Sequence, residues 1–155
     1  MEFQKRTWWL LALLIILIIA ILYLNYSKEL ECSIKLLSPS DTNGVSREVE
    51  AQFKISSKEI LNKIKRKEYR CYLFQHNTLE SHNQWHFAGY IQYPNFKNKL
   101  WLGSDTHGIG EDFIIRFIIS NEKINFKTGS GVDVVTDTDM PNIVCEDSFL
   151  LHRVR

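Results

Sequence analysis

Apolar positions are arranged in two ways along this chain. From Trp8 to Leu24 seventeen residues in succession are apolar or aromatic. Beyond them the dominant pattern is alternation with a period of two, the signature of strands that bury one face. In Val49-Glu50-Ala51-Gln52-Phe53-Lys54-Ile55 every second side chain is apolar. The same reading predicts strands at Ser33 to Leu37, Tyr69 to Gln75, Trp85 to Tyr93, Lys99 to Leu102, Glu111 to Ser120 and Phe149 to Val154. Trp85, Phe87, Gly89 and Ile91 are expected on one face, and Trp101 is expected to anchor its short strand. Phe113-Ile114-Ile115-Arg116-Phe117-Ile118-Ile119 is apolar on both faces, which predicts a central strand. Turn formers such as Ser38-Pro39-Ser40-Asp41-Thr42-Asn43-Gly44 separate the runs. One short helix is predicted over Lys58 to Lys65, with Ser56 and Glu59 as its capping box.

Short antiparallel strands at this spacing point to an all-β sandwich, because an apolar sheet face needs a second sheet to cover it. Phe53, Tyr72, Phe74, Trp85, Trp101 and Phe113 supply the expected filling.

The leading run has different physics. At about 1.5 Å per residue it reaches roughly 25 Å, near the lower limit for a hydrocarbon core of about 30 Å. Trp8 and Trp9 at one end, and Tyr23 and Tyr26 at the other, suit the two interfaces. A dozen Leu and Ile favour insertion by roughly 5 kcal/mol, and no charge opposes it. The exit, Tyr23-Leu24-Asn25-Tyr26-Ser27, has no small-x-small cleavage site, so an uncleaved anchor is expected rather than a signal peptide. Lys5 and Arg6 on the short leading side predict a cytoplasmic N-terminus and an extracytoplasmic C-terminus. The expected layout is residues 1–7 cytoplasmic, 8–24 spanning, 25–32 a juxtamembrane linker too short for a stalk, and 33–155 one β-domain.

Composition narrows the partners. The chain has 19 basic and 18 acidic residues; without Glu2, Lys5 and Arg6 the remainder is balanced at 17 each. A balanced domain lacks the basic stripe that nucleic acid requires. Its three cysteines, Cys32, Cys71 and Cys145, include no CxxC pair and so give no zinc signature.

Several segments hold chemistry-bearing residues. Ser104-Asp105-Thr106-His107-Gly108 contains nucleophile, acid and base types, yet catalysis needs them converging in space. Gly103, Gly108 and Gly110 mark the segment as a turn, so Ser104, Asp105 and His107 are expected to form a contact loop, with a membrane-anchored hydrolase as the alternative. His82 and His86 have helical metal spacing but would stand about 13 Å apart on a strand. The late acids Asp133, Asp137, Asp139, Glu146 and Asp147 lack EF-hand offsets and are expected to be solvated. The basic run Lys58, Lys63, Lys65, Arg66, Lys67 and Arg70 is expected to be the wet face of the helix, with phosphate head groups or an anionic envelope polymer as its sharper reading. No catalytic residue, metal or cofactor is assigned.

The order of these features is similar to a known module. A first strand ending at Ser38-Pro39 is followed by Asn43-Gly44-Val45 and the alternating strand. The aromatic strand Tyr69 to Phe74 then precedes the Trp85 segment. Leu100-Trp101-Leu102-Gly103, Gly108-Ile109-Gly110-Glu111-Asp112-Phe113 and Met140-Pro141 come next, before a last strand ending at Arg153. This resembles a bacterial immunoglobulin-like or fibronectin-III-like sandwich. The resemblance implies a non-catalytic binding or scaffolding module of the bacterial envelope, meeting an unknown envelope protein or polymer; an accessory subunit of an envelope complex is the other alternative. It lacks the paired core cysteines of antibody domains. In such modules the first and last strands lie side by side, which implies that Cys32 and Cys145 approach for a disulfide, with reduced thiols as the alternative, and leaves Cys71 as a buried thiol.

Overall fold

The computed structural model describes residues 13–21, 32–80, 84–124, 134–140 and 142–154. The chain divides into two units, Met1–Glu31 and Cys32–Arg155. In the first, residues 13–21 are α-helical (α1), and the leucine and isoleucine side chains from Leu13 to Ile21 are exposed. The expected span Trp8 to Leu24 extends outside the described residues at both ends. Among the described residues no helix is long and apolar enough to cross a membrane.

Alternation becomes strands throughout the second unit. These are β1 (Ile34–Ser38), β2 (Glu48–Ile55), β3 (Arg70–Asn77), β4 (Trp85–Ile91), β5 (Lys97–Trp101), β6 (Asp112–Ser120), β7 (Val134–Val135) and β8 (Ile143–His152), with helix α2 (Lys58–Lys65) between β2 and β3. They form a three-stranded sheet, β1-β2-β5, and a five-stranded sheet, β7-β4-β3-β6-β8, with every pairing antiparallel. The all-β class and two-sheet architecture thus follow from the period-two pattern.

One apolar cluster draws on both sheets: Ile34, Ala51, Phe53 and Ile55 from β1 and β2, and Leu73, Phe113, Ile115, Phe117 and Ile119 from β3 and β6. The Phe53 ring meets Phe117 edge-on at 4.8 Å between centroids, a favoured aromatic geometry. A second cluster holds Tyr72, Phe74, Trp85, Ile118, Ile124 and Val135. Residues alternate faces along a strand, so this second cluster lies on the outer face of the five-stranded sheet. Ile124, Val135 and Met140, from the connection between β6 and β8, pack there. Both faces of β6 are therefore buried and it sits between β3 and β8, as its unbroken apolar sequence predicts.

Several expectations need correction. Tyr72, Phe74 and Trp85 fill the outer cluster rather than the space shared with the three-stranded sheet. Trp101 is half exposed and flanked by the Arg47 and Lys99 cations, while its neighbour Leu100 is the buried anchor. Trp85 and Phe87 do not share a face with Ile91, which joins the first cluster. The pairing shifts between Leu73, opposite Gly89, and Phe74, opposite Phe87, so Ala88 is an extra residue that reverses the faces. Gly89 serves this bulge with φ +138°, and a Cβ there would stand 2.7 Å from Asn98 Nδ2. The helix is capped by Ser57, whose hydroxyl accepts from the Ile60 amide at 3.4 Å, because Ser56 Oγ instead accepts from the Ser33 amide at 2.9 Å. The last strand begins at Ile143 rather than Phe149, and Cys145 lies inside it.

Register fixes the two ends of the sandwich. Cys71 lies opposite both Ile91 and Ile119, and Ile119 lies opposite Cys145. Cys32 is bonded to Cys145, so the chain enters the domain at this end. At the other end Asp112 pairs with His152, and Val45 forms an isolated parallel bridge with Arg153. Eight residues of β3 at about 3.3 Å each separate the ends by roughly 26 Å.

Candidate functional site

The Gly103 to Gly110 loop lies at the end remote from Cys32, and a buried cation organises it. Arg153 Nη1 donates to the carbonyls of Leu102 at 2.7 Å, Ser104 at 2.8 Å and His107 at 2.6 Å. Arg153 is only 1% exposed, a strong position for a charge that the sequence pattern marks merely as the end of a strand. The loop must press against the guanidinium, and two glycines permit it. A Cβ on Gly103 (φ +72°) would fall 2.4 Å from the His107 carbonyl oxygen, and one on Gly108 (φ +96°) 3.0 Å from Arg153 Nη1.

Ser104 and His107 are brought together here. Ser104 Oγ lies 3.2 Å from His107 Nδ1, but Thr106 Oγ1 lies nearer to the same nitrogen, at 2.9 Å. Ser104 Oγ also accepts from the His107 amide at 3.1 Å. These are the bonds of a serine-capped turn. Asp105 does not join them; its carboxylate pairs with Arg47. The loop thus offers an exposed, rigid polar rim.

The other sequence candidates have individual structural roles. Cys32 and Cys145 form a disulfide with Cα atoms 6.0 Å apart. Cys71 is a buried free thiol, and burial pushes its pKa up to about 12. His86 Nε2 lies 2.8 Å from Glu80 Oε2, while His82 falls outside the described residues. Among the described residues no cluster of three metal-ligating side chains occurs. Asp137 and Glu146 do not stand alone in solvent: both grip Arg116, at 2.8 and 2.7 Å, and Asp137 also accepts from Trp85 Nε1 at 3.0 Å. The Arg116 guanidinium rests 5.2 Å from the centre of the Trp85 ring. Asp133 lies outside the described residues.

The basic run builds a more distinctive feature at the Cys32 end. Helix α2 buries Ile60 and Ile64, which turns its lysines outward. Lys63 bonds Glu59 at 2.8 Å and Tyr69 Oη at 3.3 Å, and these two partners hold its ammonium above the ordinary lysine range. The chain leaves the helix through Lys67 at φ +63° and enters β3 at Arg70. Beside this turn is a hollow of about 520 Å³, lined by Ile64, Lys65, Lys67, Tyr69, Arg70, Cys71, Tyr90, Ile91, Gln92, Tyr93 and Lys123. Among the described residues, four cations and three tyrosines border it and no carboxylate does. Tyr90 and Tyr93 are each about half exposed. The sequence shows Lys65, Lys67 and Arg70 as one run, but Tyr90, Tyr93 and Lys123 reach it only through the pairing of β3 with β4 and β6.

Compared with family models, curated proteins and solved structures, the chain matches none.

Proposed function

We propose that this chain is a single-pass membrane protein with a cytoplasmic N-terminus, anchored through Trp8 to Leu24. Its C-terminal unit stands outside the membrane and binds or scaffolds another envelope component. The observation that carries this reading is the Cys32–Cys145 disulfide, placed at the first residue of the folded unit and close behind the apolar run. Disulfides persist in oxidising compartments, which supports a domain on the far side of the bilayer from the reducing cytosol. Exposed apolar side chains throughout residues 13–21 support the anchor, since a helix apolar all round suits lipid.

Strand order supports an immunoglobulin-like or fibronectin-III-like module. The order β1-β2-β5 against β4-β3-β6-β8 pairs the fourth strand with the third rather than with the fifth. Two further features mark the unit: the long β6–β8 connection packed on the outer sheet face, and a disulfide joining Cys32, just before β1, to β8. The role is binding rather than catalysis, because Ser104 and His107 are engaged in turn bonds and Asp105 is held by Arg47.

The test uses intact cells whose inner membrane is sealed. A membrane-impermeant reductant followed by an impermeant maleimide polymer is expected to tag Cys32 and Cys145. Tagging only after lysis, or two reduced thiols at the outset, would overturn the proposal.

A further inference from the structure

We propose that the hollow beside α2 binds the phosphate-bearing head group of an anionic phospholipid. The inference deepens the anchored reading and rests on it. Lys65, Lys67, Arg70 and Lys123 converge on one concavity that, among the described residues, no acidic side chain borders. Among the described residues none of these four is engaged in an ion pair, so their charges are available to a ligand. The neighbouring Arg66 and Lys63 are engaged, with Glu68 and Glu59 respectively. The domain as a whole is close to electrically balanced, so this concentration reflects placement rather than composition.

Tyrosine decides the ligand class. Tyr69, Tyr90 and Tyr93 bring apolar rings with polar tips to the same rim, and mixed tyrosine–lysine surfaces belong at the lipid–water boundary. A soluble phosphate would need charge alone. Position agrees: the hollow is formed by the start of β3 and the end of β4, the end of the sandwich that holds Cys32. In the sequence only the seven residues from Asn25 to Glu31, at most about 25 Å of chain, separate the apolar run from Cys32.

The full chain is reconstituted into nanodiscs of purely zwitterionic lipid and into discs in which a share of that lipid is replaced by phosphatidylglycerol. Hydrogen exchange is followed at residues 64–71 and 90–93. Exchange there is expected to slow about fivefold or more in the anionic discs alone, the factor that corresponds to one basic residue at an anionic surface. Lys65→Gln/Lys67→Gln/Arg70→Gln/Lys123→Gln is expected to abolish the slowing, whereas Lys35→Gln/Lys54→Gln preserves it. All six positions are solvent-facing, so folding is retained. Equal exchange in both membranes, or protection that survives the fourfold variant, overturns the head-group site. Equal protection by inorganic phosphate in zwitterionic discs assigns the hollow to a soluble anion and also overturns it. Failure of the chain to enter discs of either kind instead overturns the anchor.

Discussion

Removing the Cys32–Cys145 bond tests how much of the domain's stability comes from restricting its unfolded chain. The bond spans 113 residues. Loop closure over that length corresponds to about 5 kcal/mol at 25 °C in the chain-entropy model, and native disulfides typically contribute about 2 to 5. A unit of roughly 120 residues unfolds with an entropy near 0.25 kcal/mol/K. Cys32→Ser/Cys145→Ser should therefore lower Tm by about 8 to 20 °C. The assay is thermal unfolding of the full chain in mild detergent, followed by the β-sheet circular dichroism signal. A second arm melts the unsubstituted protein with a strong reductant, which should reproduce the variant's Tm. Native packing near the bond is anchored separately, by the Ser33 carbonyl accepting from the Ser56 amide at 3.0 Å. A shift below about 2 °C in both arms would refute the reasoning, because the denatured chain would then gain no freedom when the loop opens.

Three further outcomes are expected. Cys71 should resist iodoacetamide in the native protein at pH 8 and react on unfolding, as mapped by mass spectrometry. Because the fold raises its pKa to about 12, its stabilising contribution is complete below about pH 9 and is lost as pH climbs toward 12. Rapid native alkylation would contradict this. Gly103→Ala should destabilise by more than about 2 kcal/mol, since its Cβ meets both the His107 carbonyl and Arg153, whereas Gly110→Ala (φ +76°) has open space and should cost only about 1 to 2 kcal/mol of backbone strain. Urea unfolding of the two variants checks that order, and equal losses would count against the glycine–guanidinium contact. Asp137→Asn should cost about 1 kcal/mol and change Trp85 fluorescence, because the carboxylate bridges the indole and Arg116; unchanged emission would count against that bridge.

The period-two pattern located β1 to β6 closely because each strand buries apolar side chains on at least one face. It failed where burial and alternation part company. The bulge at Ala88 and Gly89 reverses the faces midway through β4, so a single phase cannot describe Trp85 and Ile91 together. The start of β8 was hidden because Glu146 and Ser148 face solvent, and Cys145-Glu146-Asp147-Ser148 reads locally as a loop. The disulfide was reachable through the resemblance, which set the first and last strands side by side. Arg153 was not, since nothing near it in sequence announces three carbonyls more than forty positions away. The basic side of the hollow and Tyr69 were visible in one run of sequence, but Tyr90 and Tyr93 join the rim only through sheet pairing.

The covalent link between Cys32 and β8 also sets how the domain carries mechanical load. Tension applied at Cys32 would otherwise fall first on β1 and its short ladder with β2. The bond shares that force with β8, whose long ladder with β6 adds its rungs to the resistance. Oxidation at one position thereby couples the entry strand of one sheet to the edge strand of the other.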